Sequence, residues 1–205
     1  MALVSIIIPA YNEERFIGQL LQRVVAVDLH SLLYKKEIIV VDDGSSDGTA
    51  QNIRDFQQKH KHVALLLLSH PHNKGKGSAI RTGIAHATGD IILIQDADLE
   101  YNPNEYVQLL RPFSDPSLSV VYGTRYLSIA DDDKKSFFFK RKYKKSYFIA
   151  YLAGRIITWT TNLLYGAHIT DEATCYKAFR APVLKSLPLR CTGFEFCPEV
   201  TAKIL

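Results

Sequence analysis

Two apolar patterns alternate along the first half of the chain. Short runs rich in β-branched residues, Val4 to Ile8, Glu37 to Val41, Val63 to Leu68 and Ile91 to Gln95, read as strands. Between them, apolar positions recur at helical spacing. In Glu13 to Val27 the spacing is set by Phe16, Leu20, Leu21 and Val24, with Asn12 as the expected cap, and Thr49 to His60 and Gly77 to Ala87 behave similarly. Near-continuously apolar strands alternating with helices predict a mostly parallel sheet covered on both faces. A fifth strand is expected over Ser119 to Tyr122, then a loop over Asp131 to Tyr143, then a long helix from about Ser146 to Tyr165. There is no internal repeat and no Gly/Ser-rich linker.

In such sheets ligands bind beyond the carboxyl ends of the strands. Those ends carry the polar clusters: Pro9-Ala10-Tyr11-Asn12-Glu13, Asp42-Asp43-Gly44-Ser45-Ser46-Asp47, Asn73-Lys74-Gly75-Lys76-Gly77, and Asp96-Ala97-Asp98-Leu99-Glu100. Acids at alternate positions oppose one another's ionisation, and a hard divalent cation relieves that cost. Mg²⁺ or Mn²⁺ with a phosphate-bearing ligand fits such a donor set. The bland alternative is a turn whose acids cap a helix beginning near Pro103. Asp42 and Asp43 can accept hydrogen bonds from a base or ribose, while Asp47 suits a helix cap. Lys74 and Lys76, with Arg81 one turn into the following helix, set cations and backbone N–H groups where a diphosphate can bind. The spacing matches neither GxxxxGK[ST] nor GxGxxG.

At 205 residues and 47% hydrophobic content the chain can build a sizeable core. The net charge of +4 is modest, but seven cationic residues fall within Lys134 to Lys145, interleaved with Phe137, Phe138, Phe139 and Tyr143. That mixture suits an anionic bilayer; a solvated flap and a nucleic-acid contact are the alternatives, the last being the least favoured. Cys175, Cys191 and Cys197 lack CxxC spacing, which points to neither a zinc site nor a disulfide framework and makes a reducing compartment the default. The N-terminus carries no cationic leader, so no export signal is expected. The apolar stretch Tyr147 to Ile169 is interrupted by Arg155, Thr158, Thr160, Thr161 and Asn162, which favours lying on a membrane over crossing it.

The ordered elements SIIIPAYNEE, VVDDGSSDGT, NKGKGSAIRTG, GDIILIQDADLEYNP and VYGTR resemble the family 2 inverting glycosyltransferases, and within them the dolichol-phosphate mannose synthase-like polyprenyl-phosphate glycosyltransferases. The resemblance spans essentially the whole chain. It implies an α/β GT-A (Rossmann-like) three-layer sandwich with a mostly parallel central sheet, plus a C-terminal helical, membrane-interfacial region. Residues 1–205 would form one domain, with a nucleotide-sugar half over 1–100 and an acceptor-side half over 101–205. By the same resemblance, Pro9, Tyr11, Glu13, Asp42, Asp43, Lys76, Arg81 and Asp96 contact the donor nucleotide. Asp96, Asp98 and Glu100 hold the Mg²⁺ or Mn²⁺. Asp98, Arg125 and Arg141 serve catalysis, the two arginines at an acceptor phosphate, with Lys142 or Lys145 as substitutes for Arg141.

The implied reaction moves a hexose, mannose from GDP-mannose or glucose from UDP-glucose, onto a dolichyl or undecaprenyl phosphate at the cytoplasmic face of a membrane. A phosphate monoester is already an anion near neutral pH and needs no general base. Transfer to a glycan or soluble hydroxyl, and a catalytically weak nucleotide-sugar-binding module, stay open, as does a membrane-embedded partner protein; no nucleic acid is expected. The chain departs from the family pattern twice: Ala173 replaces an acid in Thr170-Asp171-Glu172-Ala173-Thr174-Cys175-Tyr176-Lys177, and Cys197 replaces one in Gly193-Phe194-Glu195-Phe196-Cys197-Pro198-Glu199. The sequence stops at Leu205 inside a helical pattern, where relatives usually continue, so a fragment or a short form is expected.

Overall fold

A computed structural model describes residues 1–125 and 146–205, with the backbone alone for 146–151. Arg141 and the basic-aromatic segment Lys134 to Lys145 lie outside the described residues. Strands β1 (Ala2–Ala10), β2 (Tyr34–Asp42), β3 (Leu65–Ser69) and β4 (Ile91–Ile94) are parallel, joined through α1 (Ile17–Ala26), α2 (Thr49–Lys59) and α3 (Lys76–His86). A short helix α4 (Tyr106–Leu110) precedes β5 (Val120–Tyr122), and α5 (Ser146–Tyr165) precedes β6 (Lys177–Arg180), α6 (Ala181–Ser186) and α7 (Phe196–Ile204). The sheet order is β3-β2-β1-β4-β6-β5, with β6 antiparallel to both of its neighbours.

Alternation within the strands makes the three layers. Val4, Ile6 and Ile8 of β1 pack with Ile17, Leu20, Leu21 and Val24 of α1, Ile53 of α2 and Leu110 of α4. Ile7 turns to the opposite face, among Ala79, Ile80 and Ile84 of α3, Leu184 of α6 and Val200 of α7. Each fully buried Ile or Leu contributes about 1.5–3 kcal/mol relative to exposure, so this double-sided core fixes the register.

Three local expectations change. Asn12 does not cap α1: it sits at φ +55°, its N–H donates to Ser45 Oγ at 3.0 Å, and its Oδ1 accepts from the Ser46 N–H at 2.9 Å. The helix therefore starts at Ile17, after a turn in which Glu13 O accepts from the Phe16 and Ile17 N–H groups. The acids after β4 are not a helix cap, since Asn102 accepts from the Asn104 N–H instead. Strand β6 falls within a stretch whose pattern predicted no strand. Among the described residues no helix is long and apolar enough to cross a membrane.

Candidate nucleotide-sugar site

The carboxyl ends of β1, β2 and β4 and the start of α3 converge, and the loops between them are cross-linked by side chains. Asp42 and Asp43 are both buried. Asp42 Oδ1 accepts from the Ser45 N–H at 3.2 Å. Asp43 is committed to the neighbouring loop: Oδ1 accepts from the Lys74 N–H at 3.0 Å and lies 2.6 Å from His70 Nδ1, and Oδ2 accepts from the Gly75 N–H at 2.7 Å. Asp47 accepts from the Thr49 N–H at 3.0 Å and the Glu14 N–H at 3.2 Å, so it ties the start of α2 to the loop after β1, while Gly48 holds the cap position itself. Gly75 has φ +92°, and a Cβ there would lie 2.3 Å from Thr192 O, so a side chain is excluded by both conformation and space.

This loop delivers Lys76 to the acids. Its Nζ lies 2.6 Å from Asp96 Oδ1 and 3.2 Å from Cys175 Sγ, and 5.6 Å from the centroid of the exposed Phe194 ring. Burial would lower the Lys76 pKa, but Asp96 and then Cys175 outweigh it and hold the ammonium charged. Asp96 itself is fixed from below by the fully buried Gln95, whose Nε2 donates to Asp96 O at 2.8 Å. Gln95 Oε1 accepts from Tyr106 Oη at 2.8 Å and Tyr176 Oη at 3.2 Å. The loop's aim is thus set by a buried polar network.

Five carboxyl groups feel one another here. Burial first, then Asp98, Asp47 and Asp96, raise the Glu13 pKa. Asp98 is raised by burial, with the Glu100 N–H at 3.0 Å opposing and Asp96 adding to the rise. Glu100 is raised by burial and by Asp98 and Asp96, against Arg125 and Lys76. Among the described residues no group of three His, Cys, Asp or Glu side chains is arranged to enclose a metal ion. The donors nonetheless fit a partly substrate-held cation. Asp96 Oδ1 is buried without an aligned hydrogen bond, held only by the ion contact to Lys76, and Mg²⁺ characteristically takes one or two carboxylates plus phosphate oxygens.

The remaining expected residues are distributed unequally. Pro9 is buried at the end of β1, and Tyr11 stands 46% exposed at the rim. Arg81 turns outward: its Nη1 lies 3.4 Å from both Arg190 O and Cys191 O, and it lines a groove with Ile84, Leu184 and Leu189. Arg125 is held by Asp171, with Nε to Oδ2 and Nη2 to Oδ1 both at 2.8 Å. Asp171 is buried, so this bidentate pair fixes the guanidinium beside the loop of acids. Glu172, next to the substituted Ala173, is also fully buried; its Oε1 accepts from Thr201 Oγ1 at 3.1 Å, so it is not presented at the site. Gln95, Asp171 and Phe194 are the site-building residues that sequence reasoning passed over. The only signal for them was position, at a strand end or inside the two departing motifs.

The Glycosyl transferase family 2 pattern matches residues 5–187, and the chain belongs to that family. It is similar to the undecaprenyl-phosphate 4-deoxy-4-formamido-L-arabinose transferase of Edwardsiella ictaluri (strain 93-146), 33% identical over 189 residues, covering 92% of this chain and 52% of the relative. The chain thus spans about half the length of the curated relatives it matches. Among solved structures, a mannosyltransferase from Pyrobaculum calidifontis in complex with GDP-Man and Mn²⁺ is 33% identical, with TM-score 0.54 over 59% of this chain and 35% of that one. Glucosyl-3-phosphoglycerate synthase from Mycobacterium tuberculosis shares the fold at TM-score 0.67 and 20% identity, over 96% of this chain and 61% of that one. The GT-A fold is therefore shared along almost the whole chain.

Proposed function

We propose that the chain transfers a sugar from a nucleoside diphosphate donor to a polyprenyl phosphate at a membrane surface. The observation that carries this reading is the Lys76–Asp96 ion contact, with Glu13, Asp98, Glu100 and Arg125 gathered around it at the carboxyl edge of the sheet. Pro9, Tyr11 and Asp42 frame the base and ribose. Lys76 meets the diphosphate, and Asp43 shapes the loop that presents it. Arg81 braces the segment 190–191 rather than touching the donor. Asp96 and Asp98 would hold Mg²⁺ or Mn²⁺ together with the diphosphate, with Glu100 behind them. When bound, the cation stabilises charge on the leaving diphosphate. Arg125, kept rigid by Asp171, and Arg141 orient the acceptor phosphate, whose oxygen attacks the anomeric carbon directly and inverts it. Fixing both reactants supplies most of the acceleration.

The sugar is a hexose, mannose or glucose, by the resemblance; the named relative carries a modified arabinose, so the donor panel must include one. Peripheral membrane attachment is supported by α5, on which Leu152, Ile156, Trp159 and Leu163, at successive spacings of four, three and four, are 47%, 54%, 65% and 66% exposed. Buried Gly154 and Thr158 form the opposite, protein-facing side.

Labelled sugar transfer tests the proposal. GDP-mannose, UDP-glucose and a 4-deoxy-4-formamido-L-arabinose donor are each given with a short polyprenyl phosphate in micelles, with and without Mn²⁺. Metal-dependent labelled lipid is expected. Nucleotide binding without labelled lipid would overturn the acceptor assignment and favour a hydroxyl acceptor or a binding module.

A further inference from the structure

The polar residues that interrupt the apolar stretch of α5 are not scattered. Arg155, Thr158 and Asn162, spaced by three and then four, fall on one side of the helix, and each is hydrogen-bonded to the segment 169–172 that follows it. Asn162 grips both backbone groups of Ile169: its Nδ2 donates to Ile169 O at 2.8 Å, and its Oδ1 accepts from the Ile169 N–H at 3.0 Å. The buried Thr158 Oγ1 accepts from the Glu172 N–H at 3.0 Å while donating to Gly154 O at 2.8 Å. Arg155 Nη1 lies 3.4 Å from Thr170 O. Between these anchors stands the buried Asp171, which accepts from the Arg125 backbone N–H at 3.1 Å as well as from its guanidinium. Buried Lys177 adds a further tie, its Nζ donating to Glu172 O at 2.7 Å and to Thr174 O. A short hydrogen-bonded path therefore runs from α5 to Arg125.

We propose that Thr158 and Asn162 are positioning residues that lock Arg125 to the exposed apolar face of α5, so that a membrane surface met by that face fixes where the arginine meets a lipid phosphate. The apolar face and the polar stripe are two sides of one helix. Leu152, Ile156, Trp159 and Leu163 are exposed, while Thr158 and Asn162 hold the segment that carries Asp171. Seating the exposed face in lipid orients the helix, the polar stripe passes that orientation to Asp171, and the bidentate pair passes it to the guanidinium. Removing the Thr158 hydroxyl leaves the N–H of the fully buried Glu172 without its acceptor, a cost the segment relieves only by shifting, and Asp171 shifts with it. A phosphate monoester on an isoprenoid chain is presented at the bilayer surface. An arginine already fixed relative to that surface spares part of the ordering cost of binding it. The contacts of Lys76 with Asp96 use none of these residues, so the lock serves the acceptor side alone.

The lipid-phosphate role of Arg125 rests on the function proposed above; the mechanical lock does not. Full-chain protein is mixed with anionic vesicles free of polyprenyl phosphate. Backbone hydrogen exchange is followed by mass spectrometry, beside the emission of Trp159, the sole tryptophan. In wild type the emission should shift to the blue, and exchange in peptides covering 169–172 and Val121 to Arg125 should slow several-fold. Thr158→Val and Asn162→Leu should keep the emission shift and lose the slowing, and Thr158→Ser, which retains the hydroxyl, should regain it. A wild type without the shift or without the slowing, or slowing that survives in both variants, would overturn the proposal. In transfer assays with a short polyprenyl phosphate in micelles, the two variants should raise the KM for the acceptor several-fold, with kcat and the calorimetric affinity for UDP and GDP unchanged. An unchanged acceptor KM, or nucleotide binding that weakens in parallel, would overturn it equally. Wild-type protein that shows the transmitted slowing yet transfers no sugar to polyprenyl phosphate would overturn the proposed function and leave the lock standing.

Discussion

Lys76 Nζ stands 2.6 Å from Asp96 Oδ1, which puts a protein cation against the carboxylate best suited to a divalent one. On the proposed donor-site reading, the ammonium and the metal compete for Asp96 until a diphosphate draws Lys76 towards itself. Lys76→Gln should bind Mn²⁺ several-fold more tightly than wild type in the absence of nucleotide, and UDP or GDP about tenfold more weakly, a loss of roughly 1.4 kcal/mol. Mn²⁺ titration by electron paramagnetic resonance and nucleotide calorimetry read the two effects separately. Unchanged Mn²⁺ affinity would remove the competition.

The gathered acids cost stability. Glu13, Asp98 and Glu100 all have raised pKa values, so over the window from the ordinary carboxyl range up to those raised values the folded state binds more protons than the unfolded one. Stability of the ligand-free protein should accordingly rise as pH falls through that window. Asp98→Asn should flatten this dependence and raise Tm at pH 7, each kcal/mol gained appearing as about 2–4 °C, while transfer is lost. Scanning calorimetry across pH 4–8, in steps of about one unit as the linkage requires, checks the slope.

Asp43 is a loop organiser with three partners in His70, Lys74 and Gly75. Asp43→Ala leaves two backbone N–H groups without their acceptor and should cost about 2–4 kcal/mol. Asp43→Asn should lose less stability yet still weaken nucleotide binding, because the loop bearing Lys76 loosens. Urea denaturation beside nucleotide calorimetry separates the two outcomes.

Gly75→Ala meets the Thr192 carbonyl at 2.3 Å in a left-handed conformation. A loss of about 1–3 kcal/mol is expected from backbone strain alone, with clash added. Its Tm should fall well below that of Gly18→Ala, where nothing lies within 4 Å of the added carbon.

On α5, Trp159→Glu and Leu163→Glu should each reduce liposome binding at least tenfold, since each forfeits about 1.5–3 kcal/mol of apolar burial. Nucleotide binding should be unaffected. Sedimentation with anionic vesicles provides the measurement.

The four parallel strands were legible because runs such as Ile91-Ile92-Leu93-Ile94 are apolar on both faces, which only a covered parallel sheet requires. The gathering of the polar clusters at one edge was legible because each follows the carboxyl end of one of these parallel strands. Strand β6 was not, since Lys177-Ala178-Phe179-Arg180 shows no period: Ala178 and Phe179 enter opposite cores, while Lys177 is buried by donating to Glu172 O at 2.7 Å. Helix α1 was placed a turn too early because Asn12 looks like a cap in isolation and is a cross-loop bridge in space. Arg125 was marked by its strand-end position, but its partner Asp171 lies 46 residues away, and no local pattern carries that distance.

The insertion of β6 between β4 and β5 bears on how the chain can be made and recombined. During synthesis, β5 leaves the ribosome before the strand that will hold it in the sheet, and must wait for Lys177–Arg180 to follow. The two ends of the chain are consequently not exchangeable cassettes. A graft replacing the residues after β5 would have to bring a strand able to slot beside Ile91–Leu93, and a shuffled library that ignores that seam would be selected against for assembly before any other property was tested.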